Sequence, residues 1–286
     1  MHEKFKNKRV YISAGSRGIG FSIALRFAEL GADIAISSRK TARLQEAKSK
    51  ITNRLREKYN KNKVTKILTI EGDLALHAEQ ERIIRVLREN DFLPDIFVCN
   101  AGHPDKVKIE EVTYSQWNKG IEAILTQAVF STKHFIPNMK QKGFGRIFYI
   151  SSIHSKIPDI LPPDFFITSV TRAALLPLTK MIHNQYADLG ITAFTLLLGY
   201  MDTPASRNIA MGVDPDNDLP HLAAQIDSED FPWSSKYNEW KQTIPCKKIG
   251  ELNHLADLVE FLSSRAALYL GGSPISFNGG LDKCIL

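Results

Sequence analysis

Residues Ser13-Ala14-Gly15-Ser16-Arg17-Gly18-Ile19-Gly20 combine small side chains, one cation and three glycines in eight positions. The apolar run Val10-Tyr11-Ile12 precedes them, and Phe21-Ser22-Ile23-Ala24-Leu25-Arg26-Phe27-Ala28 follows. Strand, tight turn and helix in that order let backbone N–H groups and a helix N-terminus approach a phosphate with no side chain in the way. The stretch therefore points to a dinucleotide. A second polar cluster, Ser37-Ser38-Arg39-Lys40, ends the next apolar run. Sites for NAD place an acid there, which binds the ribose hydroxyls. Here stand a hydroxyl and two cations, with Arg17 in the turn itself. Arginine pairs a phosphate through two parallel hydrogen bonds, so the set favours NADP(H) over NAD(H). The alternative is that Arg39 and Lys40 only begin a basic surface helix.

These groups need a scaffold. Strand-like apolar runs lie at Arg9–Ser13, Asp33–Ser37, Lys66–Glu71, Asp95–Asn100, Gly145–Ser151, Ile191–Leu198 and Ser273–Phe277. Helical patterns lie between them at Gly18–Leu30, Thr41–Tyr59, Ala75–Asn90, Ser115–Gln141, Ser169–Leu189 and Asn253–Ser263. Continuous apolar strands separated by helices imply a parallel sheet covered on both faces. The expectation is an α/β protein: a single doubly wound Rossmann-type domain over residues 1–286, with a seven-stranded parallel sheet. Residues 204–243 break the alternation. They carry Pro204, Pro215, Pro220 and Pro232, the acids Asp214, Asp216, Asp218, Asp227, Glu229 and Asp230, and Trp233 and Trp240. So long a stretch after a strand C-terminus reads as a lid or substrate-loop insertion. An irregular surface or subunit contact is the alternative.

The 286 residues hold 37 Lys and Arg against 31 Asp and Glu, a formal charge of +6. Much of the excess lies between Arg39 and Lys66, where few aromatics interleave with the charges. That favours a solvated helix face over a nucleic-acid surface. Cys99, Cys246 and Cys284 show no CxxC spacing, which argues against a disulfide framework or a metal site. Met1–Arg9 has no signal-peptide pattern, and the longest apolar stretch, Ile191–Met201, is too short to span a bilayer. A cytoplasmic protein without a membrane or nucleic-acid partner is expected.

Further marks fall in one order. They are Asp73 after the third strand, Cys99-Asn100-Ala101-Gly102 after the fourth, and Ile150-Ser151-Ser152 ending the fifth. Leu198-Gly199 and Thr203 follow the sixth, with Ile249-Gly250 and Phe277-Asn278-Gly279-Gly280 near the end. With the glycine turn, this series resembles the short-chain dehydrogenase/reductase family, nearest to its 3-oxoacyl-reductase-like members, over almost the whole chain. The resemblance implies a nicotinamide cofactor, a small-molecule substrate and a homo-oligomer (dimer or tetramer) built on the long helices. It implies that Ser13, Gly15, Ser16, Arg17, Gly18, Ile19 and Gly20 line the pyrophosphate turn. Ser38 and Arg39 would meet the adenosine ribose, and Asp73 and Leu74 the adenine. Asn100, Ala101 and Gly102 would hold a strand end beside the cofactor, and Gly199 and Thr203 would reach the nicotinamide side. Asn100 and Asp73 could equally cap turns.

The chain also departs from the family it resembles. Ala14 stands at the first glycine of the pattern Thr-Gly-x-x-x-Gly-x-Gly. Family reductases use Asn, Ser, Tyr and Lys, with the tyrosine giving the proton and the lysine lowering its pKa and binding ribose. The helix expected to bear Tyr-x-x-x-Lys reads Thr168-Ser169-Val170-Thr171-Arg172-Ala173-Ala174. Thr168 thus stands for the tyrosine and Arg172 for the lysine, while the asparagine position falls on Ile124. Only the serine remains, as Ser152. A threonine hydroxyl is too weakly acidic to replace a phenol, and arginine stays protonated. General acid catalysis contributes about 10²–10⁴-fold, so another proton source is needed. His154 lies two residues beyond Ser152, on the same side if the segment is extended, and its ordinary pKa suits proton transfer. A loop histidine without that duty is the alternative. His103 could line the pocket, Tyr200 reads as a packing residue, and Cys99 as a buried thiol. The expectation is an atypical NADP(H)-dependent oxidoreductase acting on a carbonyl, imine or activated alkene. Ser152 would hold the reacting atom and Arg172 the ribose, with His154 or water relayed by Thr168 giving the proton. The alternative is an NADP(H)-binding sensor, scaffold or partner subunit without redox activity.

Overall fold

Seven short apolar runs pair side by side, all parallel, in the order β3-β2-β1-β4-β5-β6-β7. The strands are β1 (Arg9–Ile12), β2 (Asp33–Ser38), β3 (Ile67–Glu71), β4 (Ile96–Cys99), β5 (Gly145–Ser152), β6 (Ile191–Leu198) and β7 (Pro274–Phe277). All seven expected strands form, giving the Rossmann-type sheet. The computed structural model describes residues 3–59, 65–100, 102, 104–158, 163–214, 216–217 and 234–282.

Period-two alternation sends each strand's side chains to two apolar layers. Val10, Ile12, Ile34, Ile36, Ile96 and Val98 pack beneath α1 (Gly18–Glu29), α2 (Thr41–Tyr59) and α10 (Leu252–Leu262). Tyr11, Ala35, Phe97, Cys99, Ile147 and Tyr149 face α3 (His77–Glu89), α5 (Gln127–Lys142) and α7 (Leu175–Tyr186). Because both faces are covered, the strands read as unbroken apolar runs. Buried hydroxyls on the second face are paired, Tyr11 with Ser37 at 2.9 Å and Tyr149 with Thr132 at 2.6 Å. Strand order reverses between β1 and β4, which opens a crevice at their C-terminal ends.

Two expected helices are broken. The Ser115–Gln141 pattern becomes α4 (Tyr114–Ile121), a π turn (Glu122–Thr126) and α5. The Ser169–Leu189 pattern becomes α6 (Phe166–Ala173), α7 and a 3-10 turn (Ala187–Leu189). Apolar spacing does not register such local changes of pitch.

Of the 204–243 stretch, Pro215 and residues 218–233 lie outside the described residues, as do Ala101, His103 and Cys284. Its two ends are helical. Thr203 caps α8 (Pro204–Ala210), accepting the Ser206 N–H at 3.0 Å. At the other end, α9 (Ser234–Thr243) packs by Tyr237 and Trp240 against Ala210 and Met211 at the end of α8, with Trp240 stacked on Tyr200 at 5.0 Å. Among the described residues no helix is long and apolar enough to cross a membrane.

The turn after β1 carries a strain. Ala14 has φ +50°, in the left-handed region that glycine favours. An L side chain there costs about 1–2 kcal/mol, while glycine loses about 0.4–1 kcal/mol through the unfolded chain. Ala14→Gly is therefore expected to stabilise the protein by about 0.5–1 kcal/mol in urea unfolding. A less stable variant would contradict the strain.

Candidate active site

The glycine turn and the end of β4 are clamped together. The Asn100 N–H donates to Ser13 Oγ at 3.0 Å, and Asn100 Nδ2 donates to the Ala14 carbonyl at 3.1 Å. Gly20 lies under this clamp, where a Cβ would come within 2.8 Å of both the Ala14 carbonyl and Asn100 Nδ2. Helix α1 starts at Gly18 with no side-chain cap among the described residues and no acid in its first turn. Its leading N–H groups remain available, and the helix dipole adds positive potential. A cradle lined by glycine and backbone donors fits a pyrophosphate.

Around the end of β2 the site turns cationic. Ser16 Oγ donates to Ser38 Oγ at 2.9 Å. Arg17 Nη2 lies 2.7 Å from Asp216 Oδ1, and Arg39 pairs with the other carboxylate oxygen. Arg43 Nη2 donates to the Asp216 main-chain carbonyl at 2.6 Å. Burial alone would raise the Asp216 pKa, but the Arg39 hydrogen bond and the three arginine charges hold it below the usual carboxylate range. The Asp73 carboxylate accepts the Ala75 N–H at 3.0 Å, and the Leu74 carbonyl accepts Gln80 Nε2 at 2.7 Å. Thr203 lies against the glycine turn, its Cβ 3.6 Å from where a Cβ on Gly18 would stand. Gly199 packs so closely on β7 that a Cβ would lie 2.9 Å from Asn278 Cα.

Ser152, partly buried, ends β5, and its Oγ lies 2.6 Å from His154 Nδ1. The contact does not arise from strand alternation, because Ile153–Ser155 form a 3-10 turn rather than an extended segment. The turn curls the imidazole back onto the hydroxyl. Burial, and then the Arg172 charge, push the His154 pKa down to about 4. Arg172 is only 6% exposed. Its guanidinium donates to the Ile150 carbonyl at 2.5 Å and the Gly102 carbonyl at 3.2 Å. Burial lowers its pKa to about 10, so it stays charged at neutral pH. Thr168 is partly buried on α6, and its hydroxyl makes no hydrogen bond among the described residues. Ile124 is 0% exposed inside the second apolar layer, at the π turn. Cys99 lies in the same layer, and burial pushes its thiol up to about 12, which leaves it unreactive.

A family model for short chain dehydrogenases matches residues 8–213. The chain belongs to the short-chain dehydrogenase family. Human dehydrogenase/reductase SDR family member 4 is 27% identical over 279 residues, 96% of this chain and 87% of that protein. Glucose 1-dehydrogenase of Gluconobacter oxydans is 25% identical over 280 residues, 98% of this chain and 93% of that protein. The solved L-sorbose reductase of Gluconobacter frateurii, complexed with NADPH and L-sorbose, has a TM-score of 0.83 at 26% identity and covers 100% of both chains.

In this short-chain dehydrogenase the Tyr-x-x-x-Lys spacing occurs away from α6, at Tyr59–Lys63 and at Tyr237–Lys241 on α9. Lys63 lies outside the described residues. The Tyr237 hydroxyl donates to Asp202 Oδ1 at 3.0 Å, and burial followed by the Asp202 charge raises its pKa. That is the opposite of an activated phenol. Sequence reasoning missed Asp216 and Arg43 as members of the site. Arg43 follows Arg39 by four residues at the start of α2, a spacing that could have revealed it. The acids of residues 204–243 were the only signal for Asp216.

His154 has a folded pKa below its unfolded value near 6.5. Its contribution to stability is full above about pH 6.5 and is lost as pH falls toward about 4, where the unfolded chain binds more protons. An NMR titration of the imidazole is expected to show a midpoint near 4. His154→Asn is expected to flatten the stability slope across that window, whereas a midpoint near 6.5 would contradict the burial argument.

Proposed function

We propose that this oxidoreductase uses NADP(H), moving hydride to or from a carbonyl, and that Ser152 and His154 carry the proton. The observation that supports this most directly is the 2.6 Å contact between Ser152 Oγ and His154 Nδ1. When bound, the cofactor supplies or accepts the hydride. Ser13, Gly15, Ser16, Gly18, Ile19 and Gly20 would line its pyrophosphate, with Arg17, Ser38 and Arg39 at the 2′-phosphate. Asp73 and Leu74 would flank the adenine. Asn100, Ala101, Gly102, Gly199 and Thr203 would border the nicotinamide half, beside Arg172. A solved relative complexed with NADPH supports this choice of cofactor.

A histidine with a pKa of about 4 holds no spare proton at neutrality, so it acts as a relay and not a store. In the oxidative direction the substrate hydroxyl gives its proton to Ser152 Oγ, which passes its own to His154 Nδ1. The imidazole releases the Nε2 proton to water and ends neutral. Reduction runs the same path in reverse. Thr168 would order water in this relay. The charge of Arg172, which His154 already senses, favours a developing alkoxide. It opposes a cationic iminium, so a neutral acceptor that develops negative charge, a carbonyl first, is preferred over a protonated imine.

A second reading, an NADP(H)-binding protein without redox activity, is favoured by Ile124 lying dry and by the Thr168 hydroxyl making no hydrogen bond among the described residues. NADPH fluorescence followed by consumption with a panel of ketones and imines separates the two. Binding without turnover would favour the second. We further propose that the protein is cytoplasmic, one domain that assembles as a homo-oligomer through the helical segments 115–141 and 169–189.

Ser152→Ala is expected to lower turnover by about 10²–10⁴-fold while NADPH affinity stays within about twofold. His154→Ala is expected to lower turnover less, since water can enter the relay. The acid limb of kcat in the oxidative direction should lie near pH 4. Undiminished turnover in Ser152→Ala would remove the proposal.

A further inference from the structure

Asp216 sits where an anion of the cofactor would sit. Its two carboxylate oxygens face Arg17 and Arg39, and its main-chain carbonyl takes Arg43. Carboxylate and phosphate are the two oxyanions that guanidinium groups pair with best, so these contacts have the chemistry of a phosphate site filled from within. The turn that carries Asp216 is itself anchored. The Asp216 N–H donates to Asp214 Oδ1 at 2.7 Å, and Asn208 Nδ2 donates to the carbonyls of Asp214 and Asn217 at 3.1 and 3.0 Å. Asn208 belongs to α8, whose capping residue Thr203 lies against Gly18 in the glycine turn. A carboxylate and a phosphate cannot share the same arginines without like-charge repulsion.

We infer that Asp216 is a cofactor-specificity residue, an internal carboxylate that the 2′-phosphate of NADP(H) displaces and that NAD(H), lacking that phosphate, leaves in place. This rests on the NADP(H) reading above. The carboxylate holds Arg17 and Arg39 in the geometry the phosphate takes over, with Arg43 alongside on the main-chain carbonyl. Exchange of one anion for the other frees Asp216 from its anchor on Asp214, and Asn208, which holds Asp214 and Asn217, passes the change to α8 and the glycine turn. Asp216 therefore weakens the phosphorylated cofactor selectively and ties its arrival to a movement at α8.

The test uses the full-length chain, as wild type, Asp216→Asn and Asp216→Ala. Calorimetric titration with adenosine 2′,5′-bisphosphate and with 5′-AMP reads the two cofactor types without turnover. Both variants are expected to bind the bisphosphate about fivefold tighter or more, with 5′-AMP within about twofold of wild type. Hydrogen exchange of the Asp216 and Asn217 amides in wild type should quicken with the bisphosphate and not with 5′-AMP. Bisphosphate binding equal to or weaker than wild type in both variants overturns the role of Asp216. So does a loss of 5′-AMP affinity, which would make the carboxylate a ribose acceptor. Bisphosphate binding to none of the three proteins defeats the NADP(H) reading and this inference together; equal binding to all three defeats this inference alone.

Discussion

Arg172 lies 6% exposed with its charge intact, and the strand ends around it are arranged to compensate that charge. Its guanidinium reaches the Ile150 carbonyl near the end of β5 and the Gly102 carbonyl beyond β4. Those two segments carry Ser152 and Asn100. One buried cation thus fixes the spacing between Ser152 and the clamp on the glycine turn. A buried charge tolerates loss of its partners poorly, so the arrangement is held stiffly. Burial, and then the same charge, keeps His154 neutral near pH 7.

Backbone donors and arginines gather at the C-terminal ends of β1, β2 and β4. Backbone donors of α1 lie at the centre, Arg172 at one side, and Arg17, Arg39 and Arg43 at the other. Such a row suits a ligand with several separated phosphates, and the acid turn at Asp216 balances its outer end. Ala14 keeps a left-handed backbone there because the bond from Asn100 Nδ2 over-determines it. The strain is thus held by the contact that joins the two strands.

The sheet was legible in the sequence because its central strands are buried on both faces and flanked by helices, a pattern that survives without knowledge of tertiary contacts. Gly20 and Asn100 were legible because each follows a legible strand at a fixed offset. What failed to show was pitch and long-range pairing. The π turn at Glu122–Thr126 leaves apolar spacing almost unchanged. Ser152 and His154 meet through a 3-10 turn, although extended geometry was the reason for pairing them. Asp216 lies 177 residues from Arg39, and nothing local marks either as the partner of the other. Tyr237–Lys241 shows the converse, a family-like spacing on a helix whose tyrosine is committed to Asp202.

The central claim is that the Ser152–His154 pair stands at the hydride-transfer position in place of a phenol. A crystal structure with NADPH bound tests it directly. The account predicts nicotinamide C4 facing Ser152, with an ordered water within about 3.5 Å of Ser152 Oγ and the His154 contact intact. A nicotinamide turned away from Ser152, with the Tyr237 hydroxyl at that distance instead, would contradict it.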